Sequence, residues 1–202
     1  MKIFTEREAE EFLSKHSFDI LETFFVNKEK GLEEVLKKVN YPIVIKVSGK
    51  KIIHKKAVSG VKLGLVDYKS SIKAFNELMR INGADGVLIQ KQIKGKEFLL
   101  GLKKTPEFGH ILSFGYGGSS VEKVADISFR AIPLDKPEIL DMIKETEVGK
   151  KLNSSETNLV LENLLKLQNL ANNNSNISEL DINPLILNEK QAVVVDARIA
   201  WE

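Results

Sequence analysis

Apolar residues along the chain follow helical spacing in some segments and strand spacing in others. Spacing of three and four residues predicts helices over residues 6–16, 28–39, 71–81, 137–144 and 156–170. Short apolar runs predict strands over residues 20–26, 43–47 and 61–66, and closely spaced strands follow from residue 86 onward. Helices mixed with strands early in the chain, followed by a largely antiparallel sheet, predict an α+β fold in two lobes.

Polar turns in the second half of the chain predict two hairpins. The turn Lys94-Gly95-Lys96 separates two strand runs, which we expect to pair with each other. Further on, a polar turn over residues 188–191 separates the runs 179–187 and 192–196. This second hairpin is predicted to close the fold.

The polar side chains of the second hairpin form a candidate metal site. Asp181 and Asn183 point the same way, since alternate residues of a strand share a face, and Asp196 lies on the neighbouring strand. The Asn183 amide and the Asp196 carboxylate suit Mg²⁺, which takes few protein ligands and keeps positions for waters and phosphates. The pattern alone favours a surface hairpin with a polar face, so the metal site depends on what the rest of the chain supplies.

Composition excludes several classes of function. The 202 residues carry a net charge of only +2, which does not indicate a nucleic-acid or membrane surface. The absence of cysteine excludes disulfides, thiolate zinc sites and a cysteine nucleophile. The N-terminal residues MKIFTEREAEEF contain no apolar signal core, and no apolar run is long enough to span a bilayer, so we expect a cytoplasmic protein without membrane contact.

Two basic residues are candidates for phosphate chemistry. Lys46 interrupts the apolar run IVIKV, as either an edge residue that reaches water or a charge directed at phosphates. His54 lies in KKIIHKK, where neighbouring cations favour the neutral imidazole that can act as a nucleophile. A solvated basic loop is the alternative interpretation of the His54 segment.

A glycine-rich segment and a strand-end carboxylate are candidates for nucleotide contacts. The segment FGYGGSSVE, residues 114–122, follows a strand and contains glycines that let backbone amides approach an anion. It matches neither standard nucleotide-binding fingerprint, so a plain loop is an equal alternative. Glu97 begins a strand, where it can accept hydrogen bonds from sugar hydroxyls or simply lie exposed.

In this order, the segments resemble the ATP-grasp domain of the ADP-forming acyl-CoA synthetases, specifically the β subunit of the archaeal-type acetyl-CoA synthetase. The resemblance covers nearly the whole chain, including YPIVIKVSGKKIIHKKAVSGVKLGL, GVLIQKQIKGKEFLLGLKKTPEFG, HILSFGYGGSS and ELDINPLIL followed by AVVVDAR. It implies a single ATP-grasp domain over residues 1–202 that holds nucleotide between two lobes. The main lobe would comprise residues 1–22 plus 89–202, and the smaller inserted lobe residues 23–88.

The resemblance also implies an activity and a partner. The family converts acyl-CoA, ADP and phosphate reversibly to the free acid, CoA and ATP. Its α subunit binds CoA and carries a phosphohistidine, so this chain would be one subunit of a hetero-oligomer. His54 matches the histidine that relays the phosphoryl group to ADP, and Asp181 matches the acid that faces the phosphohistidine.

Further positions match the family's nucleotide and metal site. Lys46 matches the lysine that contacts phosphate, and Glu97 matches the acid that binds the nucleotide. Gln90 and Gln92, on either side of the hinge residue, are further candidates for binding ATP or ADP. Asn183 and Asp196 match the ligands of Mg²⁺.

Departures from the family pattern support a second hypothesis. The hinge carries Lys91 where an acidic residue is usual, and the His54 loop continues with Lys56-Ala57-Val58-Ser59-Gly60 in place of Ser/Thr-Asp-x-Gly-Gly. A non-catalytic nucleotide-binding or scaffolding subunit is therefore the alternative. A third and weaker hypothesis is a carboxylate–amine ligase that acts alone. Against it, the chain leaves little room for a separate lobe that binds the acceptor substrate. Nucleic-acid binding ranks last, because no aromatics lie among the lysines.

Overall fold

A computed structural model describes residues 1–50, 52, 55–118, 126–188 and 191–202, with the backbone alone at residue 56. The chain forms two compact units. Unit 1 comprises Met1–Ile20 and Lys94–Glu202, and unit 2 comprises Leu21–Ile93. Each unit combines helices with its own sheet, so the predicted α+β class is confirmed. No helix among the described residues is both long and apolar enough to cross a membrane.

The described strands are antiparallel wherever they pair within the two sheets. In chain order they are β1 (Lys2–Ile3), β2 (Thr23–Val26), β3 (Ile43–Ser48), β4 (Val61–Leu65), β5 (Gly86–Lys91), β6 (Lys96–Thr105), β7 (Gly109–Tyr116), β8 (Ile127–Ala131), β9 (Ile177–Leu187), β10 (Ala192–Val194) and β11 (Ala197–Trp201). The largely antiparallel second half predicted from the sequence is therefore confirmed.

Most of the helices begin at a reciprocal side-chain cap. The described helices are α1 (Glu6–Lys15), α2 (Glu29–Leu36), α3 (Tyr68–Leu78), α4 (Lys136–Glu145) and α5 (Ser154–Asn173). The prediction of α3 over residues 71–81 was wrong by three residues at each end. Asp67 caps this helix, because its carboxylate accepts a hydrogen bond from Ser70 N at 2.7 Å and so fixes an earlier start.

Unit 1 is built on a seven-stranded sheet with the order β1-β11-β9-β6-β7-β8, in which β10 also pairs with β9. One face of this sheet packs into an apolar core that includes α4 and α5, and Leu100, Leu102 and Leu112 are fully or almost fully buried in it. Since strand residues alternate between faces, the residues between these leucines lie on the opposite face. That opposite face carries the candidate residues of unit 1.

Unit 2 is built on a four-stranded sheet with the order β2-β5-β3-β4. Ile43, Ile45 and Val47 of β3 belong to a buried apolar core that also contains residues of α2 and α3. Val44 and Lys46 alternate with them and therefore lie on the other face of the sheet. The strand β3 is an interior strand, so the interpretation of Lys46 as an edge residue that reaches water was wrong.

The hairpin predicted at Lys94-Gly95-Lys96 was also wrong. Strand β5 pairs with β2 and β3 in unit 2, whereas β6 pairs with β7 and β9 in unit 1. The turn thus joins strands of two different sheets. Strand β5 is buried from Gly86 to Gln90, which suits an interior strand with a neighbour on each side, and a local turn signal cannot show which neighbours those are.

The closing hairpin of β9 and β10 was predicted and is confirmed, but it does not end the sheet. Strand β10 stops at Val194, and a further strand that was not predicted, β11, pairs with the earlier half of β9. Of the connecting turn, residues 189 and 190 lie outside the described residues. The candidate metal site therefore lies in a three-strand arrangement.

Candidate functional site

Asn183 and Asp196 lie directly across from each other in unit 1. Val194 pairs with Leu185 and Ala197 pairs with Ile182, so the same register places Asp196 opposite Asn183. The backbone N–H of Asn183 donates to the carbonyl oxygen of Asp196 at 3.0 Å. Both side chains are half-buried. The pairing of these two residues, inferred from the sequence, is present in the fold.

The start of the glycine-rich segment meets this pair. The backbone N–H of Gly118 donates to Asn183 Oδ1 at 2.7 Å. Gly118 has a φ of +66°, and a Cβ there would collide with the Glu97 carboxylate, so only glycine lets the backbone lie so close. Glu97, the glycine-rich segment and Asn183 are thus brought together, while residues 119–125 lie outside the described part of the chain.

Asp181 lies on β9, two residues before Asn183, and its pKa is raised by its surroundings. The pKa of the Asp181 carboxyl is raised to about 6, chiefly by burial and in addition by the negative charges of Asp196 and Glu179. The positive charge of Arg198 lowers that pKa in part. Asp181 and Asp196 are therefore close enough to repel each other, although Asp181 remains mostly ionised at neutral pH.

The oxygens of Asn183 and Asp196 fit a magnesium ion whose remaining ligands are water or phosphate oxygens. An amide oxygen has two lone pairs, and Gly118 occupies one of those on Asn183. Among the described residues, no group of three or more His, Asp or Glu side chains could hold a metal. A hard cation with one carboxylate, one amide oxygen and several phosphate or water oxygens matches the coordination that Mg²⁺ prefers.

Arg198 is a residue of this site that sequence reasoning missed. It pairs directly with Asp181 in the register of β11 and β9. It also lies two positions after Asp196 in the chain, and this even spacing next to a strand was the signal that could have placed it beside the candidate carboxylates.

In unit 2, the structure brings Lys46 and Gln90 together on one sheet face. Lys46 is 4% exposed and pairs with Leu88, two residues from Gln90, so the two side chains are diagonal neighbours. Gln90 is 1% exposed, and its Nε2 donates to Thr23 Oγ1 at 2.8 Å. Because β3 lies between β5 and β4, the sheet fixes the backbone that carries Lys46.

The other two candidates of unit 2, Gln92 and His54, are not placed beside Lys46 by the described residues. Gln92 Oε1 accepts a hydrogen bond from the backbone N–H of Gly64 at 2.7 Å, so this side chain holds β4 in place. His54 lies outside the described residues. Lys50, four positions before it in the chain, donates its backbone N–H to the Asp85 carboxylate at 3.2 Å.

Comparison with known proteins adds a family to this geometry. The model of the ATP-grasp domain family matches residues 1–200. The ADP-forming acetate–CoA ligase II of Archaeoglobus fulgidus is 35% identical over 200 residues, which is 96% of this chain and 30% of that protein. The β subunit of the ADP-forming acetate–CoA ligase I of Pyrococcus furiosus is 31% identical over 210 residues, which is 96% of this chain and 90% of that subunit.

Solved structures of an acetyl-coenzyme A synthetase are also similar to this chain over its whole length. An acetyl-coenzyme A synthetase of Ca. Korarchaeum cryptofilum in complex with coenzyme A and Ca-AMPCP superposes with a TM-score of 0.89 at 29% identity, and the match covers 100% of this chain and 94% of that chain. The same enzyme with coenzyme A and Mg-AMPPCP, its phosphohistidine segment pointing towards the nucleotide-binding site, gives 0.80 at 30% identity, with 100% and 93% covered. The chain thus matches a β subunit over almost its full length, but spans less than a third of the Archaeoglobus ligase.

Proposed function

Because the chain belongs to the ATP-grasp family, among the β subunits and domains of the ADP-forming acetate–CoA ligases, we propose that it phosphorylates ADP as the β subunit of an ADP-forming acyl-CoA synthetase. The observation that carries this proposal is the junction of Asn183 with Gly118 and Asp196, which supplies oriented oxygen ligands beside a glycine-rich segment. The complete reaction would convert acyl-CoA, ADP and phosphate to free acid, CoA and ATP.

The proposed step is phosphoryl transfer from a histidine to ADP. The P–N bond of the phosphohistidine breaks while a terminal oxygen of ADP forms a P–O bond to phosphorus. The electron pair of the P–N bond stays on the imidazole nitrogen, and the other ring nitrogen keeps its proton, so the histidine is left as neutral imidazole. Such transfers depend mainly on positioned cations and on a metal, and less on covalent chemistry by the protein.

Unit 1 would hold the metal. Asn183 Oδ1 and the Asp196 carboxylate would bind Mg²⁺, which neutralises phosphate charge when it is bound. The hydrogen bond from Gly118 orients the Asn183 amide before any ligand arrives. The Glu97 side chain, which is packed against Gly118, would accept hydrogen bonds from the nucleotide. A Mg-nucleotide complex in the Korarchaeum synthetase supports the choice of metal.

Unit 2 would contact the phosphates and the base. Lys46 would bind phosphate oxygens, because a buried ammonium is a compact charge whose own hydration has already been removed. Gln90 lies beside it on the same face and would contact the nucleotide together with Gln92. Since Gln92 already bonds Gly64 through its oxygen, its contribution would come from the amide nitrogen.

The relay part of the proposal involves His54 and Asp181. A CoA-binding partner subunit would deliver a phosphohistidine, and Asp181 would accept a hydrogen bond from its imidazole N–H. His54, as the chain's own nucleophile, would take the phosphoryl group and pass it to ADP. The β-subunit relatives support the existence of such a partner and hence a hetero-oligomer.

A non-catalytic nucleotide-binding subunit is the second candidate function. The hinge residue Lys91 is exposed at the end of β5, where a cation replaces the acid usual in the family. Ala57 is exposed in a short 3₁₀ turn after His54, at the position of the family's loop aspartate. Lys91 changes the hinge and Ala57 changes the loop of the relay histidine, whereas the candidates for binding metal and phosphate, Asn183, Asp196 and Lys46, are retained. This combination favours nucleotide binding without phosphoryl transfer.

The two functions separate in one experiment. The chain is mixed with a candidate CoA-binding partner, and ATP formation from acyl-CoA, Mg-ADP and phosphate is measured for the unchanged chain and for His54→Ala. We expect turnover only when the partner is present, and loss of turnover in His54→Ala while calorimetry still detects Mg-ADP binding. Full turnover by His54→Ala would refute the relay, and Mg-ADP binding without any transfer would establish the non-catalytic alternative.

A further inference from the structure

A row of side chains crosses the open face of the unit 1 sheet. Arg198 pairs with Asp181, Asp181 pairs with Gly101, and Gly101 pairs with Ser113. Residues that pair directly across antiparallel strands project from the same face. Arg198, Asp181 and Ser113 therefore share the face opposite the helix-covered core, and all three are half-buried.

Gly101 leaves a gap in the middle of this row. A Cβ at residue 101 would collide with Ser113 Oγ, so the hydroxyl of Ser113 reaches over the glycine towards β9. Any larger residue at position 101 would push the hydroxyl away. The sheet thus places a hydroxyl on one side of Asp181 and a guanidinium on the other.

One donor of the Arg198 guanidinium has no acceptor among the residues that the structure describes. Arg198 Nε is buried, and it forms no hydrogen bond with any residue in the described part of the chain. A buried N–H without an acceptor costs free energy, which a bound ligand that supplies an acceptor recovers. In the adjacent row, Lys103 Nζ lies 3.4 Å from the Glu179 carboxylate, so these two charges already have partners.

We propose that Arg198 and Ser113 bind the phosphoryl group that is being transferred, with Arg198 Nε and Ser113 Oγ donating to its oxygens from opposite sides of Asp181 and Gly101. Arginine suits this task because its planar fork matches the tetrahedral oxygens of a phosphoryl group. The inference rests on the proposed function and adds two residues to it. Asp181, between the two donors, then accepts a hydrogen bond from the imidazole N–H of the delivering histidine, and the positive charge of Arg198 offsets the repulsion between the Asp181 carboxylate and the phosphoryl oxygens.

The same phosphoryl group has two sources, since it arrives on a histidine and leaves as the terminal phosphoryl of ATP. Both sources present a tetrahedral anion, so the experiment uses one probe for each. Calorimetric titration with Mg-AMPPCP measures contact with a nucleotide's terminal phosphoryl group, compared with Mg-ADP, which lacks that group. Inorganic phosphate titrated into the Mg-ADP complex measures contact with a phosphoryl group that is not part of the nucleotide.

We expect Arg198→Gln to weaken Mg-AMPPCP binding about tenfold or more while Mg-ADP binding changes less than about twofold. Ser113→Ala should weaken Mg-AMPPCP binding roughly threefold. Arg198→Lys should fall between the unchanged chain and Arg198→Gln, because it keeps the charge and loses Nε. Arg7→Gln is the matched control, since Arg7 is an exposed arginine paired with Glu11 on α1.

The outcomes distinguish this inference from the proposed function. Equal loss of affinity for Mg-AMPPCP and Mg-ADP in Arg198→Gln, or no loss for both Mg-AMPPCP and inorganic phosphate, would overturn the phosphoryl site. If Arg198→Gln does not fold, Arg198→Lys and Ser113→Ala decide by the same comparison. Failure of the unchanged chain to bind Mg-ADP would refute the proposed function and the inference with it. A loss for Mg-AMPPCP without a loss for inorganic phosphate would support the site and assign it to the nucleotide's terminal group.

Discussion

The side-chain oxygen of Asn183 accepts a hydrogen bond from the backbone N–H of Gly118, with 2.7 Å between the two heavy atoms. Asn183 comes from β9 and Gly118 follows β7, so two strands that are not neighbours in the sheet meet at this bond. The bond fixes which way the amide faces and leaves one lone pair of its oxygen for a metal. The glycine-rich segment therefore orients a metal ligand in addition to any contact with phosphates.

Replacement of Gly118 by alanine should damage both the fold and the site. The backbone conformation with φ of +66° disfavours an L side chain by about 1 kcal/mol. The added Cβ also collides with the Glu97 carboxylate. We expect Gly118→Ala to lower the free energy of unfolding and to weaken Mg-ADP binding, as measured by chemical denaturation and calorimetry.

Gly109→Ala is the matched control for that prediction. Gly109 has a φ of +67° at an exposed turn, and a Cβ there would meet no atom within 4 Å. It should therefore show the backbone cost alone, with unchanged nucleotide affinity. Equal effects of the two substitutions on Mg-ADP affinity would contradict a specific role for Gly118.

Removal of the metal should test the Asn183 and Asp196 pair. We expect chelation of Mg²⁺ to weaken ADP binding by the unchanged chain, and Asp196→Asn to make ADP affinity nearly independent of Mg²⁺, because one of two protein ligands loses its charge. Asp141→Asn, at an exposed position of α4, is the control and should keep the full dependence on Mg²⁺. If Asp196→Asn keeps that dependence as well, the pair does not bind the metal.

Removal of the charge of Lys46 should weaken the binding of Mg-ATP. Lys46→Met keeps the length of the side chain and removes the ammonium, so we expect Mg-ATP affinity to fall about tenfold, as for loss of one charged hydrogen bond. Lys69→Met, at an exposed position of α3, is the matched control and should leave calorimetric affinity unchanged. Unaltered Mg-ATP binding by Lys46→Met would remove Lys46 from the nucleotide site.

The raised pKa of Asp181 predicts a pH-dependent change in stability. The folded chain holds the Asp181 proton up to a pKa of about 6, whereas the ordinary value is 3.8, so the free energy of unfolding falls as pH rises between these values. Asp181→Asn does not titrate and should avoid this loss. Relative to the unchanged chain, it should gain on the order of 2–3 kcal/mol on going from about pH 4 to pH 7.

Denaturation in metal-free buffer without nucleotide checks the prediction for Asp181, because a bound cation would hold the carboxylate ionised. Asp141→Asn, at an exposed position of α4, is the control for removing one carboxylate elsewhere in unit 1. An Asp181→Asn variant that parallels the unchanged chain at every pH would show that burial and repulsion do not act on Asp181 as inferred.

The sequence predicted those parts of the site that depend on short-range regularities. Strand alternation alone places Asp181 and Asn183 on one face, and the polar turn before β10 brings Asp196 opposite Asn183. The family pattern supplied the candidate roles of Lys46 and Glu97. Local signals failed where several choices were compatible with them, as in the cap of α3, where Asp67 was overlooked.

The sequence by itself determined the order of the helices and of the strands other than β1 and β11, the face shared by Asp181 and Asn183, and the family. Only the tertiary structure decided which strands pair, because a local turn signal such as Lys94-Gly95-Lys96 does not specify the partners of the strands on either side. It likewise decided that Gly118 orients Asn183 and that Arg198 faces Asp181. These contacts join residues far apart in the chain, and their positions follow from sheet register and core packing, which no local spacing encodes.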